Sequence, residues 1–79
     1  MTEELEMVVL THDIGAYGLK EGDIGVVVHE YANKDAFEVE FVTAEGKTVA
    51  VLTLQELDVR GMRAKEILHV REMSHLMSA

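Results

Sequence analysis

The segment from Tyr17 to Tyr31, YGLKEGDIGVVVHEY, decides the fold predicted for this chain. Glycines punctuate its first half, and glycine favours turns because it tolerates positive φ. The second half is an apolar run in which Val26–Val28 indicate a strand with both faces at least half buried. Gly25, near the start of that strand, predicts a bulge or a close approach of another chain segment. The remaining segments are expected to pair with this strand.

Four further segments have the length and pattern of strands, and turn residues separate them. The run FEVEF at 37–41 alternates apolar and acidic residues, so its phenylalanines and Val39 are predicted to point inward. We expect them to be buried together with Val26 or Val28. The predicted strands cover residues 5–11, 24–31, 36–43 and 48–54, with a long ordered loop at 12–22, a 3₁₀ turn at 54–57 and a short fifth strand that begins at Val59 and is broken by Gly61.

The chain has 79 residues, which is the size of one small domain. It contains no cysteine, so neither a disulfide framework nor a thiolate zinc site is available. No apolar run approaches the length of a membrane span, and the start of the chain, MTEELE, is acidic where a signal peptide would be basic. We therefore expect a cytoplasmic protein without a membrane partner.

Charge is distributed unevenly along the chain, whose formal net charge is −8 at pH 7. Residues 1–59 hold thirteen acids and three bases, a net of −10, whereas residues 60–79 hold four bases and two acids, a net of +2. An acidic body opposes binding to phosphate backbones, so no nucleic acid partner is predicted. It favours a basic protein partner, although acids on solvated strand faces also simply keep a small protein soluble.

Five short strands, a long first loop and a one-turn 3₁₀ helix before the last strand together resemble an SH3-like barrel. The segment LKEGDIGVVV at 19–28 is similar to the strand entry of KOW modules and of the nitrile-hydratase β-subunit barrel. More specifically, residues 5–60 resemble a family of short bacterial proteins catalogued only as a domain of unknown function. This resemblance implies the fold and a bacterial context, and it brings no catalytic residues. We therefore predict an all-β, five-stranded SH3-like barrel over residues 1–61, with a C-terminal extension at 62–79.

The extension fits two secondary structures. Helical spacing is present at Ile67, Val70, Met73 and Met77. The run ILHVRE at 67–72 fits a strand equally well, and we favour an extended segment that pairs at the sheet edge. The apolar side chains near its end have little of the domain left to cover, so they are expected to contact a partner or a second copy of the chain. The alternative is a disordered terminus.

Residue types that support enzyme chemistry are scarce. No serine precedes residue 74 and no cysteine is present, so the usual nucleophilic triads are excluded. His12 and Asp13 form either an acid/base pair or, more commonly for such residues, a hydrogen bond at the end of a loop. We therefore predict that the protein is not an enzyme.

Two Glu-x-x-His pairs, Glu66 with His69 and Glu72 with His75, have the spacing found in di-metal helix bundles. On a single helix the two pairs would point about 240° apart, so they could not share one ion. No metal site and no cofactor are predicted.

The function predicted from these features is that of a non-enzymatic protein-interaction module. One concrete form is an acidic antitoxin or immunity-type partner of a basic protein. The alternative, suggested by the nitrile-hydratase resemblance and the histidines, is an accessory subunit or chaperone of a metalloenzyme. Glu38 and Glu40, with Glu30 on a neighbouring strand, form an acidic stripe in this prediction. The residues expected to contact a partner are Tyr17, Tyr31, Glu38, Glu40, Met73, Leu76 and Met77, and the tail residues among them are also candidates for a homodimer contact.

Overall fold

The computed structural model of the chain describes residues 5–32 and 35–73. Five strands form one antiparallel sheet, accompanied by two single turns of 3₁₀ helix. The strands are β1 (Met7–Leu10), β2 (Ile24–Glu30), β3 (Ala36–Val42), β4 (Thr48–Gln55) and β5 (Val59–Gly61), and the 3₁₀ turns are η1 (Gly15–Tyr17) and η2 (Glu56–Asp58). The all-β class is confirmed, and the 3₁₀ turn predicted before the last strand is present.

The spatial order of the strands is β4-β3-β2-β1-β5, which leaves β4 and β5 as the two edges of the sheet. Within the described residues β4 and β5 do not pair with each other, and the sheet is not closed into a barrel. β5 has only three residues, too few to form a full ladder with the eight residues of β4. The predicted closed barrel is therefore not confirmed.

One apolar cluster covers one side of the sheet, and aliphatic side chains dominate it. Both phenylalanines and Val39 point into this cluster, as the alternation in β3 predicts. The buried members are Val8, Leu10, Leu19, Val27, Phe37, Val39, Phe41, Leu54 and Val59.

The core-facing valine of β2 is Val27, and the prediction of Val26 or Val28 in this role is wrong. Val27 is fully buried and lies opposite Val39, whereas Val28 is exposed. Gly25 lies on the same face as Val27 and gives the reason. A Cβ atom at Gly25 would lie 2.6 Å from Cγ1 of Val39, so β3 side chains fill the space that a larger residue would need.

A bulge interrupts β2 between Val27 and His29. Beyond it, His29 lies opposite Glu38, and Glu30 lies opposite Phe37. The bulge adds one residue to β2 and so reverses which face its later residues occupy. The predicted stripe that joined Glu30 to the two acids of β3 is therefore wrong, because Glu30 lies on the other face.

The loop between β1 and β2 is ordered, as predicted. Ile14 and Leu19 form an isolated bridge with mutual backbone hydrogen bonds, and buried Leu19 anchors the loop on the core. Gly18 ends η1 with φ of 70°, a left-handed conformation that glycine adopts without strain. The loop thus carries Tyr17 near its tip, with 45% of the residue exposed.

Residues 62–73 form neither a helix nor a strand, so the predicted pairing at a sheet edge is wrong for this part of the extension. Two ion pairs, Arg60 with Glu66 and Arg71 with Asp23, hold the segment against the body of the protein. Val70 and Met73 line one open hollow with Val49, so the end of the segment lies near the start of β4. Leu76 and Met77 lie outside the described residues.

Candidate functional site

The side of β3 and β4 that faces away from the core carries a surface that we call the acidic face. Its acids come from β3, where residues two apart share a face and lie about 7 Å from each other. The hairpin register places Glu38 opposite Thr53 and Glu40 opposite Val51. The acidic face comprises Tyr31, Glu38, Glu40, Val42, Thr48, Val51 and Thr53.

Glu38 is held by its neighbours at the centre of the acidic face. The Tyr31 hydroxyl donates a hydrogen bond of 2.5 Å to Oε2 of Glu38, and the Thr53 hydroxyl donates one of 2.8 Å to the same oxygen. These bonds lower the pKa of Glu38 below its usual value, and the bond to Glu38 raises the pKa of Tyr31. Oε1 of Glu38 accepts no hydrogen bond from the described residues. The carboxylate is therefore ionised, fixed in orientation and open on one side.

Tyr31 is fixed in turn by its neighbour in β2. The rings of His29 and Tyr31 meet edge to face with centroids 4.9 Å apart. Strict alternation from Val27 along β2 would turn both rings towards the core, and the β2 bulge is what turns them towards Glu38.

Glu40 has a similar environment. The Thr48 hydroxyl donates a hydrogen bond of 2.8 Å to Oε2 of Glu40. Two valines flank this carboxylate, and both are unusually open: Val51 is 49% exposed and Val42 is 48% exposed. The acidic face thus combines two oriented carboxylates with exposed aliphatic surface.

The other predicted partner-binding residues do not join the acidic face. Tyr17 lies in the loop before β2, whereas Tyr31 follows β2, so the strand separates them by roughly 20 Å. Met73 lines an open hollow of about 250 Å³ together with Leu19, Ile24 and Phe41. The structure therefore brings together only Tyr31, Glu38 and Glu40 among the predicted residues that it describes.

The predicted hydrogen bond at the loop end exists, and it has a second partner that was not predicted. His12 Nδ1 lies 3.0 Å from the backbone oxygen of Asp13, and His12 Nε2 lies 2.8 Å from Oδ1 of Asp58. The bond to Asp58 raises the pKa of His12 above 6.5. Asp58 accepts a backbone bond from Gln55 and the bond from His12, and both lower its pKa. The pair joins the first loop to η2 and is exposed, which fits a structural latch.

Arg71 attaches the C-terminal extension to the first loop. Its Nε donates to Oδ1 of Asp23 at 2.9 Å, and its Nη2 donates both to Oδ2 of Asp23 and to the backbone oxygen of Gly18. Burial opposes ionisation of Asp23, but the bonds from Arg71 and from the Lys20 backbone outweigh it and lower the pKa of Asp23.

Two ion pairs hold the extension against the body, Arg71–Asp23 and Arg60–Glu66, and we call them the clamps. Glu66 is the acceptor in the second clamp, so it is not free to bind a metal ion with His69. The Arg60 guanidinium forms a two-pronged ion pair with it, at 2.6 and 3.0 Å. The bonds from Arg60 and from the Arg63 backbone lower the pKa of Glu66 to about 2. In the described residues no three His, Cys, Asp or Glu side chains are grouped as a metal site would require. His75 lies outside these residues.

A match to one family model identifies the family of the chain. A family model described as a domain of unknown function (DUF4926) matches residues 4–60, from β1 through the first residues of β5. The chain belongs to the DUF4926 family. The matched region contains the whole acidic face and both partners of the His12–Asp58 bond, so these features lie within the DUF4926 domain. The resemblance to a domain of unknown function is thereby confirmed.

No curated protein and no solved structure matches the chain. Similarity to KOW modules and to the nitrile-hydratase subunit is therefore not shown. Among the described residues, no helix combines the length and the apolar character that a membrane crossing requires.

Sequence reasoning missed the residues that act across long separations. Asp23 and Arg71 are 48 positions apart, and His12 and Asp58 are 46 positions apart. No local sequence motif contains either pair. Only Asp58 had a local signal, because Gln55 and Asp58 form a capping box around η2 with the spacing typical of that motif. Thr53 had none, since its role depends on the register between β3 and β4.

Proposed function

We propose that this DUF4926 protein is a non-enzymatic interaction module that binds a basic protein through the acidic face. The observation that supports the proposal best is the pair of carboxylates on β3, each with Oε2 engaged by a neighbouring hydroxyl. A carboxylate held in this way loses little side-chain entropy when an arginine or lysine binds its other oxygen. The exposed valines beside Glu40 would cover the aliphatic stem of such a side chain.

The charge of the chain supports a basic partner. A net charge of −8 at pH 7 would speed the encounter with a positively charged protein and would repel nucleic acid. An antitoxin-like or immunity-type role in the bacterial cytoplasm is one concrete form of this function. The acidic charge of the chain is the observation that supports this form.

We also infer an SH3-like arrangement for the sheet. The strand order, the long loop after β1 and the 3₁₀ turn between β4 and β5 support this assignment. Small β domains of this kind commonly act as binding modules, and this analogy adds weight to a function in recognition.

Affinity capture from a native lysate tests the proposal with two matched variants. Glu38→Gln/Glu40→Gln removes two charges from the acidic face, and Glu45→Gln/Glu56→Gln removes two exposed charges elsewhere. We expect the wild type and the control variant to retain the same basic protein and the acidic-face variant to lose it. Raising the salt concentration should also release it, because exposed charge pairs are screened.

The proposal would be contradicted if both variants retained the same proteins as the wild type. It would equally be contradicted if the retained protein were acidic or resisted high salt.

A further inference from the structure

The free edge of β4 lacks the features that protect exposed sheet edges. In the described part of the chain, only the β3 side of β4 is paired. Its eight residues, TVAVLTLQ, include no charged residue and no proline. Natural edges are usually short, charged or interrupted by proline, because free N–H and C=O groups invite another strand. The opposite edge, β5, is protected by having only three residues.

The extension contains a strand-like segment that pairs with no strand among the described residues. Residues 67–70, ILHV, have the apolar and β-branched character of a strand. Ile67 is 88% exposed and Val70 is 89% exposed, so the backbone is open to solvent together with the side chains. The segment belongs to no ladder, and it forms no backbone hydrogen bond with the other residues that the structure describes. An unpaired strand-like segment and an unpaired edge are thus present in one molecule.

The two elements do not pair within a single copy while the ion pairs Arg60–Glu66 and Arg71–Asp23 are formed. Asp23 and Arg60 hold the segment at the start of β2 and at β5. Residues 67–69 lie beside Val9 and Ile24, at the ends of β1 and β2, and the segment approaches β4 near Val49 without forming a ladder with it. While residues 67–70 are held in this position, a strand for the edge of β4 comes from another molecule.

Charge favours a second copy of this chain as the source of that strand. Residues 60–79 have a net charge of +2 and residues 1–59 a net charge of −10, so the tail of one copy is attracted to the body of another. Because β4 is uncharged, pairing brings no like charges directly together. β-strand addition of this type derives its affinity from main-chain hydrogen bonds and its register from alternating side chains.

We propose that residues 67–70 of one copy pair with the free edge of β4 in a second copy. The exchange is reciprocal, because each copy has one such segment and one such edge. Two identical contacts related by a two-fold axis use both and stop the assembly at a dimer.

Sedimentation equilibrium on the full chain tests the proposal, starting at low micromolar concentration and rising to near the solubility limit. Val51→Lys places a charge on β4 opposite Glu40, where the monomer tolerates it. Ile67→Asp/Val70→Asp lowers the strand propensity of the exposed segment and cancels the positive charge of the tail. Val28→Lys is the matched control, since Val28 is also an exposed valine but lies on β2, which is paired on both sides.

We expect the wild type and Val28→Lys to dimerise with similar dissociation constants, and the edge and segment variants to dimerise at least about tenfold more weakly. Thr53→Lys is a second edge variant, to be used if Val51→Lys is not folded by circular dichroism. Amides of residues 67–70 should also exchange with deuterium more slowly in the dimer than in the dilute monomer.

Four outcomes would overturn the proposal. A wild type that is monomeric at all concentrations excludes it, and so does a dimer that none of the variants weakens. Loss of the dimer in the edge variant alone would mean that two β4 strands pair directly. Loss in the segment variant alone would mean that the tail binds elsewhere. Glu38→Gln/Glu40→Gln should leave the dimer intact, which separates this inference from the proposed function.

Discussion

At the residue scale, position 25 shows how closely β2 approaches the side chains of β3. Gly25 lies within the core-facing row of β2, and a Cβ there would be 2.6 Å from Val39 and 2.8 Å from Phe41. Both neighbours are buried, so neither can move aside easily. The fold therefore requires glycine at position 25 because there is no room for a Cβ atom, and the φ angle of Gly25 is not positive.

Gly25→Ala is expected to destabilise the protein by about 1–3 kcal/mol, the usual cost of an extra methyl group in a filled core. Urea unfolding monitored by circular dichroism measures the change. Gly15→Ala is the matched control, because no atom lies within 4 Å of a Cβ at Gly15 and its φ is not positive. Equal stabilities of the two variants would show that β2 and β3 are farther apart than the structure indicates.

The bond between His12 and Asp58 predicts a dependence of stability on pH. The pKa of His12 is raised above 6.5 in the folded state, so folding favours the protonated imidazole. The stabilisation is complete below pH 6.5 and is lost as the pH rises through the raised pKa. Urea unfolding between pH 6 and pH 8 should show this loss in the wild type and not in His12→Gln. Parallel pH curves for the two proteins would contradict the prediction.

At the scale of the element, the C-terminal extension is positioned by its clamps and not by secondary structure. Residues 62–73 form no strand or helix, and their largest apolar side chains are exposed. The contact of Arg71 with Asp23 and with the Gly18 carbonyl is partly buried, and its acceptors belong to the ordered first loop. The loop therefore acts as the docking point for the extension.

Arg71→Met is expected to release the end of the extension while leaving the sheet folded. The amide resonances of residues 67–73 should move towards random-coil positions, and the global stability should fall by no more than about 1 kcal/mol, as is usual for exposed or partly exposed ion pairs. Arg63→Met is the control, because the hydrogen bond of Arg63 to Glu66 comes from its backbone N–H and survives the substitution. Unchanged spectra in Arg71→Met would show that apolar contacts, such as those of Met73, hold the extension.

At the scale of the whole molecule, local sequence patterns predicted where the strands lie. They predicted which side chains are buried only where apolar and polar residues alternate regularly. The alternation in β3 correctly predicted that Phe37, Val39 and Phe41 are buried. The same reasoning failed in β2, because an all-apolar run has no alternation to read and a bulge reverses its faces. Sequence reasoning identified Glu38 and Glu40 as candidate binding residues. It missed Thr53, whose hydroxyl reaches Glu38 only because of the register between β3 and β4.

The sequence by itself determined the all-β class, the strand and turn positions, the acidic character and membership of the DUF4926 family, because periodicity, turn residues and charge are local properties. The tertiary structure alone decided that the sheet stays open, that Val27 faces the core, and that Arg71 meets Asp23. These features depend on which distant residues are brought together. Their free energies arise from contacts between residues far apart in the chain, and no local pattern encodes such contacts.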